Sequence, residues 1–308
     1  MLHDRLLSAP GYAVRVAGLV VSVAGSPGPS PLQPAGCARA FLVAGATPDL
    51  QLDVEWRELD PQPPGPPVFD SGGVWRAHAA GPGEPPSLCV RFHDPRLEFP
   101  YKEAVLDGGG RDGVVRLDPR AFEPGEPVDA LEHPLDELLF QRLLDRRGLE
   151  AGGGLELHAV GVLAPSGRGY LFAGQSGDGK TTTARLWQQE AGATILSDDR
   201  IVVTRDGAGG WRMHGTPWHG EAELAAPASA PLSGLFVLAR GDRCTLEPLG
   251  PAHAVAALLA RSFPAFYDAA ATARLVERLR RLVAEVPCRR FPFVPGPAAV
   301  RHVIDHAP

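Results

Sequence analysis

The sequence lacks any apolar run long enough to cross a bilayer; the most apolar early stretch, Val14 to Ala24, is short and contains Arg15. Its first ten residues carry Asp4 and no extended apolar segment, so no secretion signal is recognisable and a cytoplasmic location is expected. Cysteine is scarce: Cys37, Cys89, Cys244 and Cys288 stand far apart with no CxxC or Cys/His cluster, which excludes a zinc site and a disulfide framework of the usual spacing. No excess of positive charge exists, because 30 basic residues face 36 acidic ones and the formal charge is −6. That balance argues against nucleic acid or an anionic membrane as the main partner. No internal repeat is visible.

What the chain has in quantity is turn residues, with 36 glycines and 32 prolines in 308 residues. Hydrophobic residues make up 44% and charged residues 21%, an ordinary globular balance, and the length suits about two domains. The first part reads as short strands around Val14 to Val23, Leu50 to Trp56 and Val90 to Phe92. They are divided by proline-rich loops at Ser26 to Gly36, Asp60 to Pro67 and Gly81 to Pro86. Trp56, Trp75 and Tyr101 are expected in its core.

Leu135, Leu138, Leu139 and Leu143 share one helical face, with Asp136 and Glu137 at the start, Arg146 and Arg147 near the end and Gly148 as the expected stop. A domain boundary is therefore expected near residue 130, giving a β-rich domain over 1–130 and an α/β domain over 131–308. In the second, apolar runs at 155–163, 169–173, 193–197, 201–204 and 235–239 read as buried strands. Thr183 to Gln189 reads as a helix that Gly192 ends, and Leu275, Leu279, Leu282, Val283 and Val286 mark an amphipathic helix with Arg274, Arg278 and Arg281 on its other faces.

The segment Gly174, Gln175, Ser176, Gly177, Asp178, Gly179, Lys180, Thr181 fits G-x-x-x-x-G-K-[ST] between an expected strand and an expected helix. Glycines at these positions let backbone N–H groups turn toward phosphate oxygens, and the helix adds the positive end of its dipole. Lys180 would reach the β- and γ-phosphates of ATP, and the Thr181 hydroxyl would hold Mg²⁺, with Thr182 next in line. Asp178 would repel phosphate and is expected to point away. Asp198 and Asp199 end the next apolar strand, 18 and 19 residues after Lys180. One carboxylate can accept the proton of an attacking hydroxyl, here expected of Asp198, and the other can hold the metal, here expected of Asp199, although the two could exchange roles. His158 lies one strand before the loop. The stretch Gly215 to Gly220 reads either as a lid or as a packed loop anchored by Trp218. His214, His219 and Glu221 have no metal-selecting spacing, and Arg289 and Arg290 read as a solvated pair.

Together LHAVGVL (157–163), GQSGDGKTTTARLW (174–187), ILSDDRIVV (195–203) and HGTPWHGE (214–221) resemble the HPr serine kinase family over about residues 130–305, and phosphoenolpyruvate carboxykinase more distantly. The resemblance implies a P-loop kinase domain of that type behind a smaller, mostly β domain. It implies an ATP- and Mg²⁺-dependent enzyme phosphorylating serine, with His158 near the base, and it makes self-association an expectation. Thr182 stands where HPr enzymes usually carry glutamate, and their downstream arginine–glycine signature is absent. The layout is more similar to HPr-kinase-like proteins of modified-peptide pathways, such as lasso-peptide precursor kinases, so the expected acceptor is a serine hydroxyl on a peptide or small protein. Two other readings stand: an ATP-binding regulatory or scaffold protein, and a kinase of a small molecule such as free serine. No NKxD or LSGGQ-like element points to a GTPase or a transport ATPase.

Overall fold

Apolar alternation in the first part produces eight strands: β1 (Gly11–Val16), β2 (Leu19–Gly25), β3 (Leu50–Trp56), β4 (Pro67–Asp70), β5 (Trp75–Ala80), β6 (Ser87–Phe92), β7 (Lys102–Leu106) and β8 (Asp112–Leu117). This computed structural model describes residues 11–80, 87–151, 153–265 and 268–307, so the expected loop at Gly81 to Pro86 lies outside the described residues. The eight strands form one sheet in the order β1-β2-β3-β8-β7-β6-β5-β4. Val21, Leu52, Val115 and Leu117 are buried in it. Trp56, Trp75 and Tyr101 are only half-buried.

Helix α1 (Leu135–Ala151) follows, and the chain divides into two compact units, Met1–Leu143 and Leu144–Pro308. The division falls within α1, later than the position near 130 where the sequence suggests it. The helix also runs past Gly148, where a stop is expected. One interior glycine costs a helix only about 1 kcal/mol, and the left-handed backbone appears at Gly153 instead, φ 66°.

The second unit contains β9 (Gly154–Leu163), β10 (Gly169–Ala173), α2 (Lys180–Ala191), β11 (Thr194–Ser197), β12 (Arg200–Arg205), β13 (Trp211–His214), β14 (Ser229–Arg240), β15 (Glu247–Pro248), α3 (Pro251–Leu259), α4 (Ala269–Glu285), β16 (Cys288–Phe293) and α5 (Pro297–His306). It is a mixed α/β unit. Five of its strands close on themselves, because the path β10-β9-β12-β13-β14 returns through a parallel β14–β10 pairing.

Alternation along these strands makes two cores. Leu157, Ala159, Leu171, Ile201, Met213 and Leu235 form one together with Leu258 of α3 and Leu275, Leu279 and Leu282 of α4. Val160, Val162, Tyr170, Phe172 and Phe236 form the other, packed with Trp187 of α2 and Val300 and Val303 of α5. Trp187 is almost wholly buried, its ring 5.4 Å from Tyr170 and 5.8 Å from Phe172, which fixes α2 behind the strand that precedes it. The second core therefore sets where α2 begins.

Two of the arginines expected on the other faces of α4 share one carboxylate of α1. Arg278 is buried and pairs with Asp145 at 3.0 Å, and Arg274 donates to the same carboxylate. Among the described residues, no helix is long and apolar enough to cross a membrane.

Candidate functional site

Four strands bring the sequence-predicted residues together. β10 and β11 both pair antiparallel with β9, on opposite sides of it, and β12 continues along the β11 side. The chain breaks its pairing between β11 and β12 at Asp198 and Asp199, and the Asp199 carbonyl accepts from the Ala159 amide at 2.8 Å. On the other side of β9, the Gly174 amide donates to the His158 carbonyl at 3.3 Å. His158 thus stands in the middle, with the glycine-rich loop on one flank and Arg200, its register partner, on the other.

The loop 174–179 is shaped by its glycines. Gly177 (φ 83°) and Gly179 (φ 96°) are left-handed, a conformation other residues reach only at a cost. A Cβ on Gly179 would also lie 2.9 Å from the Phe293 ring. Gln175, Ser176 and Gly177 are exposed, and α2 starts at Lys180, earlier than expected, because the Gly179 carbonyl already accepts from the Thr183 amide and hydroxyl. Thr181 is half-buried and Thr182 exposed in its first turn.

Lys180 is buried and its ammonium donates to the Gln175 carbonyl at 3.1 Å. Burial holds its pKa below the ordinary lysine value, partly countered by Asp199 and Asp178. A partly desolvated cation beside left-handed glycines is the donor set that suits a polyanion.

Asp178 does not point away, as the sequence suggests. Its Oδ2 accepts from the Gln175 amide at 2.6 Å and pairs with Arg261 at 3.3 Å.

The adjacent aspartates have different environments. Asp198 is 1% exposed, and its carboxylate accepts from the amides of Gly220 (2.9 Å), Ala222 (2.9 Å) and Leu224 (3.2 Å). These bonds anchor the loop 220–224 and occupy the carboxylate that is expected to accept a proton. Asp199 is half-buried; its Oδ1 lies 2.9 Å from His158 Nε2 and its Oδ2 3.6 Å from Arg200. Burial alone would raise its pKa, but the His158 hydrogen bond and the charges of Arg200 and Lys180 outweigh burial and hold it below the ordinary carboxylate value.

A lowered folded pKa means that the unfolded chain binds more protons, so this group stabilises above the ordinary carboxylate pKa of about 4 and the contribution is lost as pH falls through the folded value. The stability gap between the unaltered protein and Asp199→Asn should therefore narrow in acid, which urea unfolding at about pH 7 and about pH 3 measures.

The stretch 215–220 is a packed loop. Thr216 and Trp218 are buried, the Ser197 hydroxyl donates to the Trp218 carbonyl at 2.6 Å, and the Thr216 hydroxyl donates to the Arg200 carbonyl at 2.6 Å. Ser197 also accepts from the amides of Asp199 and Arg200, both at 3.0 Å, which fixes the break that presents Asp199. A Cβ on Gly215 would meet the Ala226 carbonyl at 1.9 Å, so this loop sits against its neighbours too closely for any larger residue. His219 and Glu221 are exposed at its tip. His214 lies elsewhere, bonded to Thr204. Arg290 pairs with Glu247, and Arg289 is half-buried.

Sequence reasoning misses three members. Arg200 directly follows the aspartate pair and stacks its guanidinium 4.6 Å over Phe263. Phe263 and Arg261 belong to the segment after α3, joined to β9 by a bridge between Leu157 and Ser262. No motif marks that segment, and only the fold brings it here.

Among the described residues, no group of three His, Cys, Asp or Glu side chains could hold a metal ion unaided. A Mg²⁺ at this site would have to be shared with ligand oxygens, as Mg²⁺ on nucleotides commonly is. Over residues 144–290, which lie within the second unit, the chain is similar to the family described as SynChlorMet cassette protein ScmC. No curated protein matches it.

Proposed function

We propose that the second unit is a P-loop kinase domain that transfers the γ-phosphoryl group of ATP to a serine hydroxyl on a peptide or small protein. The observation that carries this reading is the position of Lys180 and the loop 174–179 beside a carboxylate, Asp199, that His158 orients and keeps ionised. The sequence resemblance to HPr-kinase-like proteins points the same way.

In this reading the loop amides and Lys180 hold the triphosphate and offset its charge. Mg²⁺ would neutralise charge on the phosphate oxygens, with the Thr181 hydroxyl as its protein ligand. Asp199 accepts the proton of the serine hydroxyl as its oxygen bonds to the γ-phosphorus. The bond from that phosphorus to the β-phosphate oxygen breaks, and ADP leaves with the electron pair. His158 is a positioning residue, because its Nε2 fixes one carboxylate oxygen and leaves the other, 3.6 Å from Arg200, to take the proton. Asp198 takes no part in the chemistry and holds the adjacent loop.

The match to a family named for a cassette makes the products of neighbouring genes the first acceptors to try. Conversion of ATP to ADP should depend on one acceptor out of a panel of a neighbouring-gene peptide, HPr and free serine, and Lys180→Ala should abolish it. ATP binding with no acceptor-dependent turnover across neighbouring gene products would favour a regulatory or scaffold role. Turnover with free serine alone would make it a small-molecule kinase.

A further inference from the structure

The role of Arg261 rests on the reading of the loop 174–179 as a triphosphate site. We propose that Arg261 is a phosphate-binding residue of that site and that the Asp178 carboxylate is an internal anion, seated between the loop and Arg261, that the triphosphate displaces.

One oxygen of Asp178 takes both a loop amide, Gln175 N at 2.6 Å, and the Arg261 guanidinium, Nη2 at 3.3 Å. That is the pairing of donors a phosphate oxygen would take: a backbone N–H of a glycine-rich loop and a fixed cation.

Arg261 is well placed for such work. Its carbonyl accepts from the His158 amide at 2.7 Å, the adjacent Ser262 bridges to Leu157, and its Nη1 donates to the Ala257 carbonyl at 3.0 Å. The residue is therefore tied to β9 and to the end of α3 independently of Asp178. Its side chain is 14% exposed, and its buried Nε has no hydrogen-bond partner among the described residues. A guanidinium held this way has donor capacity left over for a ligand. Lys180 is in a similar state, its ammonium resting on the Gln175 carbonyl at 3.1 Å. Both cations of the loop region are thus engaged with groups of the loop itself, and a triphosphate offers each a stronger acceptor.

A purely structural ion pair and a displaced internal anion give opposite signs for one of two substitutions. If the pair only braces the loop, Asp178→Asn and Arg261→Met both loosen it and both weaken ligand binding. If Asp178 competes with phosphate for Arg261, Asp178→Asn strengthens binding and Arg261→Met weakens it, each by about tenfold, the scale of one charge-assisted hydrogen bond.

The test is calorimetric titration of the full chain and of each variant with ATP, inorganic tripolyphosphate and adenosine. The expected result is tighter ATP and tripolyphosphate binding by Asp178→Asn, weaker binding by Arg261→Met, and no change for adenosine. Thermal melts of both variants check that each is folded. Weakening by both variants, or an effect as large on adenosine as on tripolyphosphate, overturns the inference and leaves the triphosphate reading standing. Absence of ATP and tripolyphosphate binding in the unaltered protein and in Asp178→Asn alike overturns the triphosphate reading, and this inference with it.

Discussion

Asp199→Asn should lower kcat by about 10²–10⁴-fold, roughly 3–5 kcal/mol of transition-state stabilisation, while ATP affinity changes little. The substitution keeps the size of the side chain and a possible bond to His158 Nε2, but it removes the carboxylate that accepts the hydroxyl proton. His158→Asn should have a smaller effect on kcat and should move the acid limb of the pH–rate profile upward. The reason is that the His158 hydrogen bond is foremost among the interactions that keep the Asp199 pKa low against burial. A kcat for Asp199→Asn equal to that of the unaltered protein, measured with saturating acceptor, would remove Asp199 from the chemistry.

Asp198→Ala should act on stability. The carboxylate is buried and receives three amide N–H groups of the loop 220–224. Removing it leaves those donors unsatisfied inside the protein, a loss of about 3–5 kcal/mol, because orphaned buried donors forfeit their hydration without recovering a bond. For a unit of this size that corresponds to a fall in melting temperature of roughly 10 °C. Asp199→Asn should shift the melt less at neutral pH, since its side chain is 21% exposed where Asp198 is almost wholly buried, and water can reach what replaces it. The adjacent pair thus separates by measurement: one substitution appears in the melt and the other in kcat. Equal melting temperatures for Asp198→Ala and the unaltered protein would contradict the anchoring role.

The difference between these two aspartates is a good measure of what local sequence can reveal. The strand–loop–helix stretch from Gly169 to Ala191 is legible because its signals are local: a short apolar run, glycines that must take positive φ, and a helix ended by left-handed Gly192. Asp198 and Asp199 are chemically identical neighbours, and which one is buried depends on amides that lie more than twenty residues later in the chain. Asp178 is a similar case. Its loop partner, the Gln175 amide, is local, but its second partner, Arg261, is 83 residues away.

The missed elements have their own causes. Helix α3 contains Ala254, Val255, Ala256, Ala257, Leu258 and Leu259 in succession, so it shows no polar face and no period. Strand β16 carries Arg289, Arg290 and Pro292, none of which suggests an interior strand, yet it pairs parallel with β14 along its length. The β13 strand is only four residues long, and alternation cannot be recognised over so short a run. The burial of Arg278 on α4 is not legible locally, because its aspartate partner lies near the end of α1.

In the proposed function, the loop 174–179 and Asp199 together move a phosphoryl group onto a serine. Intact mass spectrometry of a neighbouring-gene peptide, after incubation with the purified protein, ATP and Mg²⁺, tests it most directly. The expected result is a gain of one phosphoryl group, placed on a serine by fragmentation, absent with Lys180→Ala and strongly slowed with Asp199→Asn. An acceptor phosphorylated as fast by Lys180→Ala and Asp199→Asn as by the unaltered protein would contradict it.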